Sequence, residues 1–422
     1  MTAEPNLRPV PGVVDGRRAT AHLKALEPQL IGAGFRSSAP VDSASVRLAP
    51  RSLSELRDLY GWLTAKTRFL LIGLGFGVTL LGLAGAADVL GAPVDGTRRS
   101  ALDHLFSDSA GPTGVSLSLL QDPAGLIVLA VVLVTPVFCC QQVQAIADFV
   151  RMNEDNGARL TSERAEQHDE LVDRTNKAFA RLGGAGVSVV LLLAAAACAG
   201  SLYAFVHTNG LMANWNPTPL PDAVWRSEVY DGWWANWHRH PELALALCAA
   251  GTYAFYFLSK QLMMGVVFTQ YLYRSWELGF GVTPNMEYDS DGYRGLRPLR
   301  RFMLWTYGSS LAHLTGLLVL FTVWLPAEAW MVFIVLAVML VDMLVIVYPS
   351  SIGYHSALKV KQDHVKALYE SALASEERDA AIAQVWSAPV LPVTTRKAAT
   401  GIFLYLLAPA IPALIPVLFQ RL

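Results

Sequence analysis

The residues of this 422-residue chain whose types could do chemistry are polar and ionisable side chains set inside long apolar runs. Asp342 interrupts VFIVLAVMLVDMLVIV, His313 interrupts SSLAHLTGLLVLF, and Lys260 with Gln261 interrupts YAFYFLSKQLMMG. An ionisable group in hydrocarbon is costly, so it marks a pathway or pairs with a partner. An imidazole gains and loses a proton near neutral pH, and beside a carboxylate it could relay protons or coordinate a cation. Asp342 lies about 20 Å along its run from Ala329, and His313 about 18 Å from Leu325, at 1.5 Å per residue. The two runs are joined only by Pro326-Ala327-Glu328. Antiparallel packing would therefore let Asp342 and His313 meet, with Ser309, Ser310 and Thr315 adding hydroxyls. Lys260 falls about 26 Å past Leu243, where its stem could carry the ammonium to the membrane face. Two readings stay open for this group: an intramembrane polar pathway of Asp342, His313, Lys260, Gln261 and Ser309, or a hydrogen-bonded clasp between helices.

The elements that must position these residues are helices. The chain is 53% hydrophobic and 16% charged, against about 25% charged in ordinary soluble domains. Its net charge is −1. A disordered chain, a collagen-like fibre and a strongly basic nucleic-acid binder are excluded. A helix crossing roughly 30 Å of hydrocarbon needs about 20 apolar residues. Six runs qualify: Phe69–Leu90, Ala124–Ala145 (after Asp122-Pro123), Gly183–Val206, Leu243 to about Tyr271, Phe302–Leu325 and Ala329–Tyr348. A last run, Thr400–Phe419, carries Pro409, Pro412 and Pro416. It reads as a kinked seventh span, with a re-entrant or interfacial segment as alternatives. The expected fold is an all-α polytopic membrane bundle of six or seven spans. Residues 1–67 form an N-terminal segment and 68–422 the membrane domain. The first strongly apolar run starts near Phe69, so no signal peptide is expected.

Lys and Arg give the orientation. With the N-terminus inside, 27 of them flank the inner ends of the spans and four the outer ends. This places the protein in a bacterial inner membrane, the N-terminus cytoplasmic; Ala-rich stretches and 25 Arg against eight Lys agree with a bacterial source. The loops 146–182 and 349–399 are charged and helix-prone and read as cytoplasmic helical extensions. Ser52 and Glu55 fit a capping box opening a helix into the first span. The third loop holds Trp215, Trp225, Trp233, Trp234 and Trp237, which read as an aromatic belt at the outer headgroups or, alternatively, as a ligand platform. Gly73 and Gly77 form a GxxxG pair suited to close helix contacts, within the bundle or between copies.

Other motifs carry less. Glu287 to Gly295 resembles half of a calcium loop, but position twelve is Pro298, where a bidentate Glu is needed. The segment reads as a tight turn, and Arg294, Arg297, Arg300 and Arg301 are set to meet anionic lipid headgroups. His238-Arg239-His240 lacks the i,i+4 spacing of a helical metal site. The four cysteines, Cys139, Cys140, Cys198 and Cys248, sit in apolar runs without metal-ligand spacing. The sequence contains no phosphate loop, HExxH or GxSxG. No cofactor or metal is expected.

The stretch Glu287–Leu299 (EYDSDGYRGLRPL) resembles an HPDxxGGL-like loop of an uncharacterised bacterial multi-pass membrane protein family. Tyr348-Pro349 to His355, with Lys361 and Leu368, and the run Pro389-Val390-Leu391-Pro392 resemble that family's segments around its last spans. The resemblance covers the C-terminal third and implies a multi-pass helical fold and no mechanism. Here Tyr288 or its neighbours replace the His-Pro, and Arg294 or Tyr293 the first Gly.

These observations point first to a channel- or transporter-like protein with a polar pathway. The alternatives are a membrane-anchored signalling or scaffold protein acting through its cytoplasmic helices, and an intramembrane enzyme with an unfamiliar site. The expected partners are the lipid bilayer, further copies of the chain and a cytoplasmic protein, with no nucleic acid.

Overall fold

A computed structural model describes residues 65–91, 99–101, 114–156, 162–212, 216, 220–278, 297–325, 329–371 and 374–387. Expectations for residues 1–64, for the loop containing Arg294, for Trp215 and for the run Thr400–Phe419 lie outside the described residues. Helices dominate: α1 Ala65–Ala86, α2 Pro123–Asn156, α3 Ser162–Gly183, α4 Ala185–Asn209, α5 Asp222–Asp231, α6 Pro241–Glu277, α7 Arg297–Val323, α8 Ala329–Tyr369 and α9 Ser375–Ser387. A 3-10 turn, Leu119–Gln121, leads into α2. Two short strands, β1 (Arg99–Ser100) and β2 (Val115–Ser116), pair in parallel.

Five helices contain stretches long and apolar enough to cross a membrane: Phe69–Ala86, Pro123–Ile146, Ala185–Asn209, Pro241–Glu277 and Arg297–Phe321. The sixth expected run, Ala329–Tyr348, lies in the 41-residue α8, many of whose side chains are outside the described residues. The bundle is apolar on its outer surface, and a set of polar side chains is buried within its otherwise apolar core. Val78, Val190, Leu193 and Leu304 are exposed, while Gln142, Lys260 and His313 are buried. A large exposed apolar surface suits a hydrocarbon environment and would be a liability in water.

The long helix α6 is central, packing against α1, α2, α3, α4 and α8, and α7 lies along α2. Pro136 stands inside α2 and removes the N–H that would bond the Val132 carbonyl one turn back. At that carbonyl α1 comes close: a Cβ on Gly73 would sit 3.0 Å from the Val132 oxygen, whereas one on Gly77 would meet nothing within 4 Å. Of the GxxxG pair, Gly73 therefore serves packing within the bundle, while Gly77 leaves a gap on its surface.

At one end, a cap is woven from the segments between spans. Leu117 N–H donates to the Gly232 carbonyl and Trp234 N–H to the Leu117 carbonyl, both at 2.9 Å. A Cβ on Gly232 would lie 2.0 Å from the Val115 carbonyl oxygen, so only glycine fits beside β2. Met212 N–H reaches the Val323 carbonyl at 2.8 Å and ties the chain after α4 to the end of α7. The tryptophans correct the belt expectation. Trp225, Trp233 and Trp234 are fully buried and form the core of this cap, and Trp237 is exposed.

At the opposite end, helices run beyond the apolar zone. The 37 residues of α6 span about 55 Å, well beyond a hydrocarbon core of about 30 Å. Of the expected helical loop 146–182, the described residues 146–156 and 162–182 are helical, but α3 is separate from α4, broken at the extended Gly184. His168, Val172, Thr175 and Phe179 of α3 are buried and form a helical stripe docked on α6. His168 Nε2 lies 3.2 Å from the Tyr271 hydroxyl. The helix α9 folds back on α8, where the buried Lys361 ammonium donates to the Trp386 carbonyl at 3.1 Å.

Two predictions follow from this packing. Gly73→Val should lower the melting temperature, at a cost of about 1–3 kcal/mol from overpacking against backbone. Gly77→Ala should leave it unchanged or raised; equal losses in thermal unfolding would contradict the assignment. Burial pulls the His168 imidazole down to about 4 from its ordinary value near 6.5. Its neutral form therefore favours the docked α3, and that stability is complete above about pH 6.5. It falls as pH drops towards 4, by up to about 3 kcal/mol. Amide exchange across α3, corrected for its intrinsic pH dependence, should accelerate over that window and do so less in His168→Phe.

Candidate functional site

Two buried polar assemblies lie along the bundle. The first is at the capped end. Asp122 is fully buried and precedes Pro123, the first residue of α2. Its carbonyl accepts the Leu126 N–H at 3.0 Å, and its Oδ1 accepts the Ala124 N–H at 3.0 Å. It is thus an N-cap with proline following, the usual chemistry of a helix start. Three indoles complete its shell. Trp233 and Trp234 each donate Nε1–H to Oδ2 at 2.9 Å, and Trp324 donates to both oxygens, at 3.1 and 3.0 Å. An indole nitrogen can only donate, so the donor set suits a carboxylate with every lone pair engaged. Burial nonetheless pushes the carboxyl above its ordinary range, opposed by these hydrogen bonds.

The second assembly lies between α2, α6 and α7. His313 Nδ1 is 2.7 Å from the Ser309 carbonyl. A carbonyl only accepts, so Nδ1 carries a proton. The same nitrogen is 3.1 Å from Ser309 Oγ, which donates to Gln261 Oε1 at 2.7 Å. On the other side, His313 Nε2 is 3.1 Å from Thr135 Oγ1, which also lies 2.7 Å from the Val131 carbonyl. About two turns further on from Thr135 and His313, Gln142 Nε2 donates to Thr306 Oγ1 at 3.2 Å. Gln142 Oε1 is buried with no hydrogen-bond partner among the described residues.

Thr135 gives this chain a specific capacity. Its single hydroxyl hydrogen can point to His313 Nε2 when that nitrogen is bare. It can turn to the Val131 carbonyl when Nε2 carries a proton, leaving an oxygen lone pair to accept. Both protonation states of the ring are satisfied without moving a heavy atom. Between His313 and the cap lie two small apolar cavities. One, of about 70 Å³, is lined by His313, Gly316 and Val131. The other, of about 60 Å³, is lined by Tyr203, Trp233 and Trp324. They share Val128, Gly251, Phe255 and Leu320. Their linings are almost wholly apolar, and such cavities stay dry at rest.

The structure brings His313, Ser309 and Gln261 together. Lys260 points elsewhere and does not reach the membrane face: it is buried, donates to Ser188 Oγ of α4 at 3.0 Å, and lies over the Tyr256 ring at 5.2 Å. Neighbouring helices close over its stem, so no route to the headgroups is open. Asp342 is in α8, and its side chain is outside the described residues. Arg297 and Arg301 are exposed and Arg300 is half-buried, with Arg301 pairing to Asp148 at 3.3 Å. Thr315 is exposed. Sequence reasoning missed Asp122, Thr135, Gln142 and Thr306. The DP pair before an apolar run was the one signal for Asp122. Among the described residues no cluster of His, Cys, Asp and Glu could hold a metal ion.

No protein-family model, no curated protein and no solved structure matches the chain.

Asp122→Asn turns a donor towards the indoles and should cost about 2–4 kcal/mol, as for a buried group left facing its own kind. Trp324→Phe, which leaves two indoles and the Ala124 N–H in place, should cost less. Thermal unfolding with tryptophan fluorescence checks the order, and equal stability of Asp122→Asn and wild type would contradict it.

Proposed function

We propose that this chain is a channel- or transporter-like membrane protein whose polar centre is the Thr135–His313–Ser309–Gln261 chain, and that it passes protons. The observation that carries this reading is the ring of His313, set between small cavities on one side and hydroxyl and amide groups on the other. At 1.5 Å per residue, His313 lies about 16 Å from Trp324 and Gln261 about 27 Å from Leu243, so the chain occupies the far half of the bundle. Proton transfer suits it better than passage of a metal cation. The ring offers one exchangeable proton on each side, and among the described residues no cluster of His, Cys, Asp and Glu could hold a metal ion. The apolar cavities would gate by wetting and drying, as hydrophobic constrictions do. The distribution of Lys and Arg supports placing the N-terminus and the α3 end on the cytoplasmic side. The resemblance to the uncharacterised multi-pass family is compatible with this reading and adds no mechanism to it.

Purified protein in liposomes carrying a pH-sensitive dye provides the test. Wild type should collapse an imposed proton gradient, and His313→Phe should slow this at least tenfold. Thr315→Ala, on the exposed face, should behave as wild type. Asp342→Asn should change the rate more than Lys260→Gln. Absence of proton, sodium, potassium and chloride flux in wild type at both pH 6 and pH 8 would overturn the reading in favour of a membrane-anchored scaffold.

A further inference from the structure

Between α3 and α6, at the end away from the cap, an open cleft of about 760 Å³ is closed on one side by Tyr348 of α8. Its volume falls in the range of small-molecule sites, roughly 300–1,000 Å³. Its charges are balanced. Arg174 pairs with Glu170 on α3, and Arg274 with Glu277 at 2.8 Å on α6. Both pairs are solvent-exposed and intrahelical, the kind worth little in themselves and readily exchanged for a ligand's charges. The Arg274 guanidinium lies 5.8 Å over the Tyr273 ring, which faces Tyr348 at 6.4 Å.

The cleft also has an apolar approach. Met263 and Val266 are exposed on α6 and stand on the helical stripe that continues through Val267 and Gln270 to Arg274. Val267 is about 36 Å along α6 from Leu243. With Leu243 at the outer edge of a hydrocarbon core about 30 Å thick, Met263 stands about 30 Å along, at the inner edge of that core, Val267 in the headgroup layer, and Arg274 about 46 Å along, on its water side. An apolar strip leading from the bilayer into a neutral, two-signed cleft has the form of an amphiphile's site. We propose that this cleft binds a zwitterionic phospholipid with an amine headgroup. Its phosphate meets Arg174 and Arg274, its ammonium meets Glu170 and Glu277, and one acyl chain runs along Met263 and Val266. The proposal rests on the membrane reading of the bundle and is independent of proton passage.

The test measures thermal stabilisation of the full chain in detergent. Dioleoyl phosphatidylethanolamine, dioleoyl phosphatidylglycerol and soluble glycerophosphoethanolamine are titrated separately. Phosphatidylethanolamine should saturate, and its half-saturating concentration should rise at least tenfold in R174Q/R274Q and in E170Q/E277Q. These charges are exposed, so the lipid-free melting temperatures of the variants should stay near wild type. Ala178→Trp, which fills the cleft and leaves the charges, should also abolish saturation and provides the second variant. Equal response to phosphatidylglycerol would overturn the zwitterion assignment. Saturation by the soluble headgroup at the same concentration would overturn the lipid assignment. Undiminished phosphatidylethanolamine binding in all the variants would overturn the site itself. None of these outcomes bears on whether His313→Phe slows proton flux.

Discussion

A carboxylate sealed from water must be answered by donors, and at Asp122 the donors come from three separated parts of the chain. Ala124 belongs to α2, Trp233 and Trp234 to the segment after α5, and Trp324 to the end of α7. No cation shares the charge among the hydrogen bonds described for it, so neutral N–H dipoles do all the compensating. Removing donors leaves a buried charge exposed to a low dielectric, which is far costlier than losing an ordinary hydrogen bond. The arrangement therefore pins the starts and ends of helices that are distant in sequence to one point.

That pinning sets the register deeper in the bundle. Thr135 lies about 20 Å along α2 from Asp122, and His313 about 16 Å along α7 from Trp324. Two helices hung from one anchor reach comparable depth with those counts, and the hydroxyl and the ring meet. The rest of the polar chain follows the same rule. Ser309, one turn from His313 on α7, takes the Gln261 oxygen of α6, and Gln142 and Thr306 join α2 to α7 a turn or more away. Gly73 and Pro136 complete the packing on the other flank, because a carbonyl without an intrahelical donor needs a close neighbour and a glycine permits one.

Much of this was legible in the sequence. The apolar runs announce the helices, because backbone polar groups in hydrocarbon must be satisfied within the segment. Lys260, Gln261, Ser309 and His313 stand out because each is expensive where it sits. Thr135 and Thr306 do not, since a helical threonine can satisfy itself on its own backbone and sequence cannot say when it turns to a neighbour instead. Asp122 was hidden for another reason. It borders a span, where acidic residues are ordinary, and its partners lie 111, 112 and 202 residues away. The tryptophans were misread for a related cause: an indole suits a headgroup layer and a buried carboxylate equally well, having one apolar body and one N–H. Only the tertiary fold separates the two uses.

The most direct test of the account is the exchange and chemical shift of the indole N–H groups in the membrane-reconstituted protein, followed by solid-state NMR with selective ¹⁵N-tryptophan labelling. Trp233, Trp234 and Trp324 should exchange slowly, show strongly hydrogen-bonded N–H shifts and correlate with a single Asp carboxyl carbon, while the exposed Trp237 exchanges fast. Exchange of all four at the rate of Trp237, or three indoles with no common carboxyl partner, would contradict it.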